Sequence, residues 1–212
     1  MSYSRHIVIP GMSALLVLAL RGAPANAQAV EPETEPKKHF VSTSLFMLAN
    51  LLPLDDPPHF YQLNYGYRVT PKDALIVEAI TWRYQAPLGI PYGTHQGDPD
   101  EAFPGHVRDV GVGLAYQRFI WKGVYSALHA TPFVQTYFDA RGEKIQTGFQ
   151  LFMTLRFGYS FRLFDDRIFL EPSVAFTYWP VNTNLPASFQ KQEDKWPNYF
   201  LFEPGLNLGV NL

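Results

Sequence analysis

The stretch Ile145-Gln-Thr-Gly-Phe-Gln-Leu-Phe-Met-Thr-Leu-Arg-Phe-Gly-Tyr-Ser-Phe-Arg-Leu163 decides the fold. One parity reads Thr147, Phe149, Leu151, Met153, Leu155, Phe157, Tyr159, Phe161 and Leu163. The other reads Gln146, Gly148, Gln150, Phe152, Thr154, Arg156, Gly158, Ser160 and Arg162. Successive side chains of a strand point to opposite faces, so this is one long strand with a greasy face and a polar face. The C-terminal segment repeats the pattern: Phe200, Phe202, Pro204, Leu206, Leu208, Val210 and Leu212 alternate with Leu201, Glu203, Gly205, Asn207, Gly209 and Asn211. Tyr61, Leu63, Tyr65, Tyr67 and Val69 likewise alternate with Gln62, Asn64, Gly66 and Arg68.

Extended outward, the same period gives eight strands, over about 39–50, 59–69, 74–84, 108–120, 124–138, 145–163, 168–179 and 198–212. No segment after residue 27 carries a helical period. The connections alternate in length. Thr70–Asp73, Trp121–Gly123 and Phe164–Arg167 are tight turns, whereas 51–58, 85–107, 139–144 and 180–197 are longer or richer in proline. Short turns at one end and longer loops at the other are the layout of an up-and-down barrel.

Composition narrows the class. Of 212 residues, 17% are charged, against roughly 25% in an average soluble domain, while 47% are hydrophobic and 16% aromatic. A chain so apolar is not disordered. The absence of cysteine excludes disulfide scaffolds, thiolate zinc sites and catalytic thiols. A formal charge of −2 gives no electrostatic case for nucleic-acid binding.

Arg5 and His6, the apolar run Met12 to Leu20 and then Ala25-Asn26-Ala27 have the form of a secretory signal peptide. Cleavage after Ala27 is expected. Residues 28–38, with Glu31, Glu33 and Glu35 set among prolines, read as a flexible periplasmic leader, and 39–212 as the barrel.

Alternation alone does not say which face meets water, because soluble lipocalin-type barrels also have eight up-and-down strands. Three observations favour lipid. All seven lysines, Lys37, Lys38, Lys72, Lys122, Lys144, Lys191 and Lys195, sit outside the strands or at their edges; a lipid-facing lysine at mid-depth costs about 2–4 kcal/mol. The polar face is built from small and amide residues, such as Gly148, Gly158, Gly205, Gly209, Ser160, Thr154, Asn207 and Asn211, as a narrow lumen requires. Tyrosines and tryptophans, among them Tyr61, Tyr67, Trp82, Trp121, Tyr159, Tyr178 and Trp179, gather near strand ends, where interfacial girdles belong. Pro132, Pro172 and Pro204 each remove a ladder donor and are expected at bulges or near the interface.

On these features residues 39–212 resemble the small eight-stranded outer-membrane barrels of Gram-negative bacteria. The fold class implied is an all-β, eight-stranded, antiparallel, up-and-down transmembrane β-barrel in the bacterial outer membrane, with both termini periplasmic. In that class the last strand usually ends in a Phe read by the barrel-assembly machinery; this chain ends in Leu212. The partners implied are outer-membrane lipid, lipopolysaccharide and that machinery, with no nucleic acid and no cofactor, and the state a monomer.

Four acids fall inside strands: Glu78, Asp109, Glu171 and Glu203. With Arg68, Arg156 and Arg162 they share the inward parity, and the favoured reading is an ion-pair network in the lumen, since charges in a narrow lumen must be paired. Glu171 and Glu203 lie symmetrically about position 187, so a carboxylate pair is the functional alternative. His129 and Thr131 share one face of the fifth strand. The resembled class includes lipid A-modifying hydrolases and acyltransferases that use His with Ser and an acid, so His129 with Thr131 is the enzyme alternative. His59, His95 and His106, with Asp98, Asp100 and Glu101, have no known ligand spacing, and no metal site is expected from them. Trp196 and Pro197 are placed for a lid over the barrel mouth.

Overall fold

The computed structural model describes residues 37–53, 57–84, 104–195 and 197–212. The expected signal peptide over 1–27 and nearly all of the leader lie outside the described residues, as do Trp196 and the acidic part of the loop after Tyr84. Among the described residues there are nine strands: β1 His39–Ser44, β2 Tyr61–Arg68, β3 Asp73–Tyr84, β4 Gly105–Trp121, β5 Val124–Asp139, β6 Lys144–Tyr159, β7 Phe161–Leu163, β8 Ile168–Thr183 and β9 Tyr199–Asn211. All pair antiparallel.

Strands β1 to β6 pair in sequence order, β6 and β7 both pair with β8, β8 pairs with β9 and β9 with β1, so the sheet closes on itself. The short β7 continues β6 past Ser160, and both lie against β8. The ring therefore has eight positions, and no strand edge is left along its full length. Among the described residues, no helix is long and apolar enough to cross a membrane.

The turns at one end follow from their residues. Thr70 Oγ1 accepts hydrogen bonds from the Lys72 and Asp73 amides and donates to Asp73 Oδ2 at 2.6 Å, which folds the β2–β3 turn. Lys122 and Gly123 both have positive φ, 41° and 90°, as a two-residue turn matching the strand twist requires.

Four expectations need correction. The first strand stops at Ser44 instead of running to 50. A 3₁₀ helix, Leu45–Leu51, follows, because Ser44 Oγ caps the Phe46 amide at 3.2 Å and competes with the ladder. The connection 180–197 holds a short helix, α1, Ala187–Glu193, although no helical period was read there. Seven residues are too few to display a period; the helix is held by packing of Phe189, which is fully buried. The β5–β6 connection, grouped with the longer loops, closes in four residues, since Asp139 Oδ1 accepts the Arg141 and Glu143 amides. Finally, β9 carries an extra residue opposite β8, between the pairs Ala175↔Glu203 and Thr177↔Phe200. Leu201 and Phe202 are then both exposed, at 61% and 59%. Phe200, read as outward, shares the side of buried Thr177 instead, because a bulge shifts parity by one.

Elsewhere the parities sort as the sequence dictates. Leu63, Leu75, Val77, Val110, Val112, Leu114, Leu128, Val134 and Phe176 are exposed on the outer face. The inward parity is buried and fills the lumen. Near the tight-turn end lies an apolar plug of Phe40, Ala74, Ile76, Ala115 and Phe169. The Phe40 and Phe169 rings meet edge-on with centroids 5.5 Å apart. Inward glycines make room for them: a Cβ at Gly66 would fall on the Phe40 ring, and one at Gly209 on the Phe169 ring. At the opposite end Val107, Tyr137 and Phe189 form a second plug, with Trp82 and Leu185 against it.

Candidate functional site in the barrel lumen

Between the two plugs the lumen is polar. β3 and β4 pair Glu78 with Gly113, and β4 and β5 bring Thr131 to the same level. The Glu78 carboxylate accepts a hydrogen bond from the Thr131 hydroxyl through Oε1 and contacts His129 Nδ1 through Oε2 at 3.1 Å. Glu78 and Thr131 are buried, 4% and 2% exposed. A Cβ at Gly113 would collide with Thr131 Oγ1 and lie 2.7 Å from Glu78 Oε1. Only glycine leaves space for that hydrogen bond.

Across the lumen, Arg156 on β6 donates to Ser173 Oγ at 2.9 Å and to Glu203 Oε1 at 3.2 Å. The guanidinium passes over Gly205, where any Cβ would meet Nη1. On the β5–β6 ladder Arg156 stands opposite Ala127, one inward position along from His129. Two carboxylates, one guanidinium, one imidazole and two hydroxyls thus form one cluster at mid-lumen.

Toward the tight turns, Glu171 receives the Gln117 amide at 3.4 Å on each oxygen, and Ser160 hydrogen-bonds it. Arg68 donates to the Lys37 carbonyl and to Asn211 Oδ1, both at 2.8 Å, and stacks over Phe40 at 4.8 Å. Arg162 sits at the rim and reaches Asp166 at 3.4 Å.

Toward the other end, Asp109 Oδ2 meets Gln135 Nε2 at 3.5 Å, and Tyr137 donates to Gln135 Oε1 at 2.9 Å. Asp109 therefore stands with an amide, not with an arginine. Its Oδ1 is buried without a protein hydrogen-bond partner. Above it, α1 brings Glu193 into the mouth. Burial raises the Glu193 carboxyl pKa above its ordinary value, the Asp194 charge adds to that rise, and a hydrogen bond with Trp179 opposes it.

The carboxylate pair Glu171–Glu203 does not form. The β8–β9 register sets Glu171 opposite Asn207 and Glu203 opposite Ala175. The two are four residues apart along the ladder, about 13 Å at roughly 3.3 Å per residue. The ladder there is centred on position 189 instead of 187, as Glu171↔Asn207 and Ala175↔Glu203 show, so the two glutamates are offset.

His129 and Thr131 do face the lumen together, but both are engaged by Glu78. Nucleophilic catalysis needs the hydroxyl to donate to the base. Here the acid lies between them, so the arrangement is centred on a carboxylate. Plugs above and below also separate it from the exterior. Of the histidines read for a metal, His106 stacks on Phe138 at 4.6 Å and His59 is exposed. His95 and its acidic neighbours lie outside the described residues, and among the described residues no group of three potential ligands occurs.

Sequence reading missed Gln117, Ser173, Gly113 and Gly205 as members of the site. Their parity was legible. Their partnership depends on inter-strand register, which no single strand carries.

No family model matches the chain, and no curated protein matches it. In fold it is similar to the crystal structure of Neisserial surface protein A, at 11% identity, covering 82% of this chain and 94% of that chain, with a TM-score of 0.42. The barrel assignment rests on the ladders.

Proposed function

We propose that the chain is an integral outer-membrane barrel that serves as a structural or surface-interaction element, displaying the connections 85–107 and 180–197 on the cell surface. The observation carrying this reading is the inversion of the two faces. Apolar residues of the outward parity are exposed around the ring, with Leu114 at 67%, Val112 at 62%, Leu63 at 59% and Leu75 at 55%. The inward parity holds Glu78, Asp109, Gln117, Thr131, Gln135 and Glu171, all under 8% exposed. An apolar belt this continuous is a membrane-interaction surface, and closure of the ring through β1 and β9 pairs most of the strand backbone internally, as lipid demands. Lysines placed in turns, at the first residue of β6 and in α1 support the same reading.

The reading places both termini in the periplasm, with outer-membrane lipid and lipopolysaccharide around the belt and the barrel-assembly machinery acting during biogenesis. The protein works as a monomer, without a bound cofactor. The mid-lumen cluster ties the wall across the lumen by pairing Glu78 with His129 and Thr131, and Glu203 with Arg156. The Phe40–Phe169 and Tyr137–Phe189 plugs argue against conduction. The engagement of Thr131 by Glu78 argues against the hydrolase or acyltransferase alternative.

The test is refolding from denaturant into detergent micelles, followed by unboiled gel electrophoresis and protease digestion. A heat-modifiable band and cleavage confined to connections are expected. A chain that stays folded and monodisperse in buffer without detergent would overturn the proposal.

A further inference from the structure

The wall is not strand throughout. β1 pairs with β9 only from Ser44↔Asn207 to Phe40↔Asn211, so residues 199–206 of β9 have β8 on one side and no strand on the other. On the far side of the same gap, β2 pairs with β1 only from Asn64 to Tyr67, leaving Tyr61–Leu63 without a β1 partner. The segment between these two edges is the 3₁₀ helix Leu45–Leu51, which packs beside β9.

We infer that this helix is a lipid-facing stave of the barrel wall, whose partner is the hydrocarbon chains of the adjoining leaflet. The inference rests on the membrane reading above and adds to it a non-strand segment inside the belt. Two independent features carry it. First, Phe46, Leu48, Leu51 and Leu52 are exposed at 42%, 53%, 79% and 54%, and no residue of the helix is buried. They continue an apolar surface formed by Tyr61 and Leu63 of β2 on one side and Leu201 and Phe202 of β9 on the other.

Second, the polar groups at the helix ends and on the free β2 edge find partners within the protein, as hydrocarbon demands. A 3₁₀ helix bonds its own backbone. Ser44 Oγ takes the Phe46 amide, and the Leu52 amide donates to the Ala49 carbonyl at 3.2 Å. The Thr43 hydroxyl donates to the Gln62 carbonyl, which has lost its strand partner. Asn50 substitutes for a strand residue: Nδ2 donates to the Phe60 carbonyl at 2.8 Å and Oδ1 accepts the Phe60 amide at 3.0 Å. Pro204, which has no amide to satisfy, lies on the stretch of β9 without a β1 partner.

The chain contains no cysteine, so single-site spin labelling needs no background removal. Leu48→Cys, Leu114→Cys and Lys122→Cys are labelled in the full chain refolded into dioleoylphosphatidylcholine vesicles. Collision with oxygen, which partitions into lipid, is compared with collision with a water-soluble nickel chelate. Leu48 and Leu114 are expected to favour oxygen to a similar degree, and Lys122 the chelate. Oxygen preference at Leu114 with chelate preference at Leu48 would overturn this inference and leave the membrane reading standing. Chelate preference at Leu114 would overturn the membrane reading, and this inference with it. Should the Leu48 label impair folding, Leu51→Cys serves as the second site, with the same outcomes.

Discussion

Replacing Gly209 with alanine tests whether the lumen is filled by fitted rings. The added Cβ would stand 2.5 and 2.6 Å from the two ε carbons of Phe169 and closer still to Cζ. Ordinary carbon contacts fall at about 3.5–4.0 Å, so the ring tip must retreat by about 1.5 Å. Its path is blocked. The Phe40 ring stands edge-on to it, itself seated over Gly66 and under the Arg68 guanidinium. Relief must come from an off-rotamer ring or a displaced strand, and overpacking of this kind costs about 1–3 kcal/mol. Taking about 2 kcal/mol, the folded-to-unfolded ratio falls roughly 30-fold.

The assay is urea unfolding of the protein in micelles, followed by tryptophan fluorescence and extrapolated linearly. Phe169→Leu should cost stability in the parent, because it hollows the plug. It should cost less beside Gly209→Ala, because it also relieves the clash. A coupling of at least about 0.5 kcal/mol is expected for side chains in contact. An unchanged midpoint for Gly209→Ala, or strict additivity in the double variant, would refute the argument that the glycine exists to seat the ring.

Glu203→Gln leaves the half-buried Arg156 without its carboxylate. A loss of about 1–3 kcal/mol is expected, between the values for exposed and for buried pairs, measured in the same urea titration. Leu114→Arg puts a charge on the exposed outer face and should cost about 2–4 kcal/mol in lipid vesicles, and far less if that face meets water. Gly113→Ala should disrupt the Glu78–Thr131 bond, and Thr131→Ala in the same chain should restore part of the lost stability in urea. Docking of α1 should depend on pH. The Glu193 pKa is raised in the folded state, so the folded form holds the proton more tightly, and stability is lost as pH rises from the ordinary carboxylate range through the raised value. Hydrogen exchange at 187–193, corrected for intrinsic rates, should show weaker protection at the higher pH, and Glu193→Gln should abolish that change.

Most of the barrel was legible because a strand writes its two faces into alternate residues. Ile145–Leu163 shows this directly: Phe149, Leu155, Phe157 and Phe161 are exposed on the outside, while Gln150 and Thr154 are buried within. Legibility failed where a side chain competes with the ladder. Ser44 and Asn50 divert the chain into a helix although Phe46 and Leu48 continue an apolar pattern. It failed again at Leu201–Phe202, where one extra residue exchanges the faces and Phe200 turns with Thr177. At the site, the inward parity of Glu78, Arg156 and Glu203 was readable, as was the face that His129 and Thr131 share. Which acid meets which base was not, since Arg156–Glu203 and Glu78–His129 depend on register across several strands.

The brevity of β1 has a consequence for how the ring opens. Its ladder spans four residues against β2 and five against β9, while β5 and β6 share fifteen. The β1–β9 joint also ties together residues about 170 positions apart, such as Phe40 and Asn211. A joint between chain ends carries the largest loop-closure entropy of the ring. Its five-residue ladder is short for offsetting that cost. It is therefore the clasp: the last link to fasten when the cylinder forms, and the first to part when it is strained. Any process that must pass a chain through the wall, insertion included, meets its lowest resistance there.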